Sequence, residues 1–327
     1  MASQPHRPRE LPLVLVLRPP PVFTVFEAQF SQKFQFLKAW ESPLPVATFL
    51  TTHTQSVRAA LCSGGSPITA EILRWLPSLR LIVTTSAGLN HIDLPECRRR
   101  GIAVANAGTV FSAEVADTAV GLLLDVLRKV SAADRYVRAG LWKISGDYPL
   151  GSKIGGKRVG IVGLGSIGLE VAKRLQAFGC IILYNSRKKK PPVSYPYYSS
   201  VCELAADSDV LVICCALTSQ TRHMIDKEVL LALGKNGVII NIGRGAVIDE
   251  KELVQCLMQG DIAGAGLDVF ENEPSVPKEL FALDNVVLLP HTAVFTKETF
   301  LDLYELMVAN LEAFFSNKPL LSPVIDE

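Results

Sequence analysis

Short apolar runs alternate with helical patterns from the start of the chain. Leu13 to Leu17, Ala59 to Ser63, Leu81 to Thr85 and Ile102 to Ala105 read as buried strands, bounded by turn residues and too short for helices. Ala28 to Trp40 and Ala70 to Leu76 read as helical stretches between them. That rhythm predicts βαβ units around a parallel sheet. Next, Ser112 reads as an N-cap with Glu114 in the first turn, and Val115, Ala119, Leu122, Leu123, Val126, Leu127 and Val130 recur at helical spacing, which predicts one long helix. A glycine-rich loop, Gly151 to Arg158, then opens a second series. Its strands are expected at Val159 to Val162, Cys180 to Tyr184, Val210 to Cys214, Val238 to Ile242 and Val286 to Leu289, with helices at Gly168 to Phe178 and Glu250 to Gln259. A last helix, carrying Phe300, Leu303, Tyr304, Met307, Leu311, Phe314 and Phe315, has no strand after it and must pack on something already built. The expected fold class is therefore α/β, with two doubly wound parallel-sheet domains. Residues 1–109 and 296–327 form one, and 110–295 the other, inserted between them.

Composition narrows the partners. At 327 residues, 49% hydrophobic and 20% charged, the chain can bury two ordinary cores. A formal net charge of +1 gives no bulk attraction to nucleic acid or to an anionic membrane, so neither is an expected partner. Leu13 to Leu17 is too short to span a bilayer. Seven cysteines without paired short spacing argue against both a disulfide framework and a zinc site, and no metal is expected. Arg7 and Arg9 stand beside Glu10 without a Ser-rich amphipathic stretch, and Pro323 to Glu327 lacks a Ser-Lys-Leu address. The expected compartment is the cytosol, with the plastid as the alternative.

Gly163, Leu164, Gly165, Ser166, Ile167 and Gly168 spell G-x-G-x-x-G directly after an apolar strand and before a helical pattern. The first glycine permits a tight turn, the second lets backbone approach a pyrophosphate, and the third lets helix and strand pack closely. The free N–H groups at the helix start then face the phosphates. About 20 residues on, an NAD-binding chain places a carboxylate against the ribose 2′-hydroxyl. Here the chain reads Tyr184, Asn185, Ser186, Arg187, Lys188, Lys189, Lys190. With no acid to repel it and a guanidinium to pair with it, a 2′-phosphate is the better guest, so NADPH is expected in preference to NADH.

Asn241 to Glu250 begins at a strand end and presents Arg244 between Gly243 and Gly245. Downstream come Gly264 to Pro274, which contains Asp268 and Glu273, and then Pro290, His291 and Thr292. In this order and spacing, together with the glycine fingerprint, the constellation resembles the D-isomer-specific 2-hydroxyacid dehydrogenases, and within them plant-type glyoxylate, hydroxypyruvate and hydroxyphenylpyruvate reductases. The chemistry of the residues agrees. A 2-oxo acid has a carboxylate that needs a cation, a ketone oxygen that gains charge as hydride arrives, and a need for one proton. Arg244 offers a planar cationic fork, His291 a proton donor, and Glu273 a carboxylate that would orient the imidazole and favour its charged form.

The resemblance implies more. It puts the catalytic arginine, glutamate and histidine at Arg244, Glu273 and His291. Asp268 is then expected near the nicotinamide, Ile242 and Gly243 along the cofactor, and Ala87 and Gly88 on the substrate carboxylate, which Arg244 and His291 also meet. It names 110–295 as the Rossmann cofactor domain and the rest as a flavodoxin-like substrate domain, with the ligand in the cleft between them. A homodimer is expected, with Leu141 and Trp142 at its interface. Two departures stand out: Thr292, Ala293, Val294 and Phe295 are bulkier than is usual for the family, and Asn106 to Thr109 lacks the usual proline. The alternative function is a dinucleotide-sensing scaffold on the same fold with little turnover.

Overall fold

Strands of two to five residues, most of them apolar and buried, pair in parallel and assemble two separate sheets. The computed structural model describes residues 10–324, and Arg7, Arg9 and residues 325–327 lie outside them. The chain divides into two compact units, one running to Val110 and resuming at Thr296, the other Phe111–Phe295.

The first unit holds β1 (Leu13–Val16), β2 (Gln35–Lys38), β3 (Ala59–Cys62), β4 (Leu81–Thr84) and β5 (Ala103–Ala105), all parallel, in the order β2-β1-β3-β4-β5. Its apolar cluster runs from Leu15 and Ala60 to Ile82 and Ile102. The stretch Ala28 to Trp40, expected as helical, is not one element. A helix ends at Ser31, Gln35–Lys38 is the edge strand β2, and Ala39–Glu41 is a 3-10 turn. Phe30 and Phe34 stand four apart and imitate a helical face, while Phe36 joins the same aromatic cluster from the strand, with its ring 4.8 Å from Phe23. Pro21 opens the helix Pro21–Ser31 at a position where no N–H is needed. The last helix, Lys297–Phe315, returns to this unit, where Tyr304 stacks on Phe26 at 4.9 Å and meets Phe30 edge-on at 4.8 Å.

The second unit holds β6 (Arg158–Val162), β7 (Ile181–Asn185), β8 (Tyr197–Tyr198), β9 (Val210–Ile213), β10 (Val238–Asn241), β11 (Gly264–Leu267) and β12 (Val286–Leu288). They form one parallel sheet in the order β12-β11-β10-β9-β6-β7-β8. Ser112 is not an N-cap. It is the first residue of the helix Ser112–Arg128, and Phe111 before it is already helical at φ −85° and ψ −4°, so there is no extended cap residue. The helix also stops short of Val130. Lys129 turns left-handed at φ 55°, and the Asp125 carboxylate takes both the N–H and the hydroxyl of Ser131, which starts a new helix, Val130–Arg138. β11 went unforeseen because glycine supplies two of its four residues. A Cβ at Gly264 would lie 2.9 Å from Val126 Cγ1, and one at Gly266 3.0 Å from Leu122 Cβ, so the long helix rests directly on that strand's backbone.

Among the described residues no helix is long and apolar enough to cross a membrane, and no group of three or more His, Cys, Asp or Glu side chains could hold a metal ion. All seven cysteines are free thiols.

Candidate active site

The three fingerprint glycines meet three different constraints. Gly163 has φ 96°, and a Cβ there would lie 2.6 Å from the amide nitrogen of Cys215. At Gly168 a Cβ would lie 2.4 Å from the carbonyl oxygen of Gly163. Gly165 has an ordinary φ of −81° and nothing within 4 Å of the same imaginary atom. Turn geometry thus accounts for the first glycine and helix packing for the third. The second keeps open space beside the start of the helix Ser166–Ala177, which is the cradle a pyrophosphate needs. Leu164 is fully buried, so only its backbone is available at this turn. Ser166 is exposed and Ile167 half-buried.

The basic loop follows β7. Tyr184 is fully buried, and its hydroxyl accepts the N–H of Lys190 at 2.9 Å. Ser186 Oγ donates to the Lys188 carbonyl at 2.7 Å, and Tyr197 Oη donates to the Ser186 carbonyl at 3.3 Å. Ser186, Arg187 and Lys188 are therefore held in a defined turn at the carboxyl end of the strand next to the glycine fingerprint.

Arg244, Glu273 and His291 follow β10, β11 and β12, three neighbouring parallel strands, so all three leave the same edge of the sheet. His291 Nδ1 and Glu273 Oε2 are 2.7 Å apart. The other Glu273 oxygen accepts the Phe270 N–H at 3.0 Å. Burial opposes the charge on Glu273, but the bonds from His291 and Phe270 and the nearby Arg244 guanidinium outweigh it and hold the carboxyl below the usual range. Burial also lowers the pKa of Arg244, with Glu273 opposing that shift. Arg244 donates from Nη1 to the Gly243 carbonyl at 2.7 Å.

Supporting residues fix these groups. Asn241, 1% exposed, accepts the Gly243 N–H at 3.1 Å and donates to the Arg244 carbonyl at 3.1 Å, closing the turn that presents the arginine. Asp268, also 1% exposed, accepts the N–H groups of Thr292 and Ala293 at 2.7 and 3.1 Å, while its carbonyl accepts the N–H of His291 at 2.9 Å. His291 sits at φ 56°, a left-handed conformation uncommon outside glycine that histidine adopts more readily than most residues. Ile242 is buried against the core, and Gly243 approaches the Cys215 carbonyl, 2.9 Å from its missing Cβ. Burial pushes the Cys215 thiol up to about 11, so it stays neutral. The sequence signalled neither the bracketing role of Asn241 nor the close approach of Cys215, apart from the taste of asparagine for local turns.

In the first unit Ala87 and Gly88 follow β4. Thr84 Oγ1 is 2.9 Å from Nε2 of the buried His91 and accepts the N–H of Ser86 at 3.3 Å. Asn106 Nδ2 donates to the Ala87 carbonyl at 3.0 Å, so the segment lacking the usual proline uses its asparagine to hold this loop.

Residues 120–293 match the family model described as D-isomer specific 2-hydroxyacid dehydrogenase, NAD binding domain. A glyoxylate/hydroxypyruvate reductase of Arabidopsis thaliana is 55% identical over 314 residues, 96% of this chain and 97% of that one. A hydroxyphenylpyruvate reductase of Plectranthus scutellarioides is 49% identical over 305 residues, 93% of this chain and 97% of that one. Among solved structures, an NADPH-dependent glyoxylate/hydroxypyruvate reductase of Sinorhizobium meliloti, in complex with NADP and malonate, superposes with a TM-score of 0.88 at 36% identity over 96% of each chain. With a glycine fingerprint whose middle position stays open, and an arginine and a glutamate-bound histidine on adjacent strand ends, the chain belongs to the D-isomer specific 2-hydroxyacid dehydrogenases.

Proposed function

We propose that this chain reduces a small 2-oxo acid to the D-2-hydroxy acid, or glyoxylate to glycolate, with NADPH preferred over NADH. Hydroxypyruvate and glyoxylate are the first substrates to test, with hydroxyphenylpyruvate third, in keeping with the relatives' activities. The observation that carries the reading is the 2.7 Å contact of His291 Nδ1 with Glu273, one strand away from Arg244.

A bound NADPH would supply the hydride. Gly163 to Gly168 would hold its pyrophosphate, Ser186, Arg187 and Lys188 its 2′-phosphate, and Ile242, Gly243 and Asp268 would lie toward its nicotinamide half. Arg244 pairs with the substrate carboxylate and favours the charge that develops on the ketone oxygen. With Nδ1 committed to Glu273, His291 presents Nε2 and gives that oxygen its proton as hydride reaches the carbon. Glu273 keeps the ring in the orientation this requires. Ala87 and Gly88 keep their assignment to the substrate carboxylate.

Exposed apolar side chains at Val137, Leu141, Trp142, Ile144 and Leu150 support a homodimer built on this arm of the second unit. Seven free thiols suit a reducing compartment such as the cytosol. A turnover panel tests the function: NADPH and NADH oxidation with glyoxylate, hydroxypyruvate, pyruvate and hydroxyphenylpyruvate. NADPH consumption with one or more of them is expected. NADPH binding without consumption would overturn the reading in favour of a dinucleotide-binding scaffold.

A further inference from the structure

The turn that carries Glu273 and the turn that carries Arg244 touch backbone to backbone. A Cβ at Gly245 would lie 1.8 Å from the carbonyl carbon of Phe270 and 2.3 Å from the amide nitrogen of Glu271. Nothing fits between the two chain segments there, so a shift of one is passed to the other.

A second histidine–carboxylate pair lies across this seam. His223 Nε2 is 2.8 Å from Glu271 Oε1, and Arg222 Nη1 is 3.3 Å from the same oxygen. Glu250 Oε1 accepts the N–H of Glu271 at 3.0 Å, and Asp249 Oδ2 stands 3.9 Å from His223 Nδ1. His223 donates its own N–H to the Ala246 carbonyl at 2.9 Å, and Ile225 donates to Val247 at 3.0 Å. The segment His223 to Ile225 is thus stitched to the chain just after Arg244, while the His223 ring reaches the chain just before Glu273. His223 has φ 52°, a left-handed conformation uncommon outside glycine. Glu271 lies inside the short turn that Glu273 closes by accepting the N–H of Phe270.

We propose that His223 and Glu271 are positioning residues: their bond across the seam fixes the Glu273 turn against the Arg244 turn. It thereby sets where the guanidinium and the glutamate-held imidazole stand relative to the reacting ketone. The inference rests on the reading of Arg244, Glu273 and His291 as the catalytic set, and neither His223 nor Glu271 is assigned contact with substrate.

Two substitutions separate the contact from the backbone. Glutamine places its amide nitrogen where Nε2 stands. Asparagine tolerates left-handed backbone but places its amide nearer to Nδ1. In full-length protein assayed with NADPH and hydroxypyruvate, His223→Asn and Glu271→Ala should each lower kcat about tenfold with the KM for NADPH within about twofold of wild type. His223→Gln should recover most of the loss, and the double variant His223→Asn/Glu271→Ala should be no slower than either single variant. Should Glu271→Ala fail to fold, the contrast of His223→Asn with His223→Gln carries the same comparison. Wild-type kcat in the His223 and Glu271 variants overturns the inference. So does a parallel loss of kcat, NADPH affinity and thermal stability, which would mark a merely structural pair. Wild-type turnover that disappears in His291→Ala supports the catalytic set separately: failure there overturns both readings, whereas failure confined to His223 and Glu271 overturns only this one.

Discussion

The carboxylate of Asp268 accepts the backbone N–H of Thr292 at 2.7 Å, and so the residue that follows β11 holds the turn that presents His291 after β12. Burial pushes the Asp268 carboxyl up, against the two N–H groups that favour its charge. A carboxyl raised by folding contributes most below its unfolded pKa, and that contribution declines as pH rises through the folded value. Asp268→Asn has no such titration. The stability difference between wild type and Asp268→Asn should therefore shift against wild type as pH climbs from the ordinary carboxylate range toward neutrality. Urea unfolding at a series of pH values checks this, and a difference that grows in favour of wild type over that interval would contradict it.

Gly165 and Gly168 should separate cofactor affinity from stability. Gly165→Ala places a methyl group in open space at an ordinary φ, so it should leave thermal stability nearly unchanged while raising the KM for NADPH about tenfold or more. Gly168→Ala forces a Cβ against the Gly163 carbonyl and should cost about 1–3 kcal/mol of stability. Thermal melts and steady-state kinetics of the two variants give the comparison.

Arg187 should discriminate between the two dinucleotides. Loss of its guanidinium in Arg187→Ala removes a charge-assisted partner for a 2′-phosphate but nothing a 2′-hydroxyl requires, so the KM for NADPH should rise about tenfold or more with that for NADH within about twofold. Equal changes for both would remove the assignment.

Ile144 is 79% exposed and Trp142 61% exposed on the same short helix, Leu141–Ser145. If two copies cover this arm, Ile144→Glu buries an unpaired charge in the interface and should give a monomer by light scattering. A wild-type chain that is already monomeric at micromolar concentration would refute the dimer.

Strands buried on both faces, such as β3, β4 and β9, were legible in the sequence because their residues are apolar throughout, save for Thr84 at the end of β4. The strand β2 was not, since its outer positions are Gln35 and Lys38 at a sheet edge and its aromatic neighbours imitate a helix. β11 was hidden by glycines that answer to a helix more than a hundred residues earlier in the chain. The proposed set of Arg244, Glu273 and His291 came from motif order and the family resemblance, and the structure brings Glu273 and His291 to 2.7 Å of each other. The bonds that hold the site could not: His223 reaches Glu271 across 48 positions and Asp268 reaches Thr292 across 24, which leaves no local periodicity to read.

Parallel strands in a sheet stand about 4.8 Å apart, a pitch set by the peptide hydrogen bond and indifferent to side chains. Because the turns that carry Arg244, Glu273 and His291 each follow one of three successive strands, the sheet acts as a ruler for where those turns begin. The turns can vary in length and side chains without moving the strand ends from which they start.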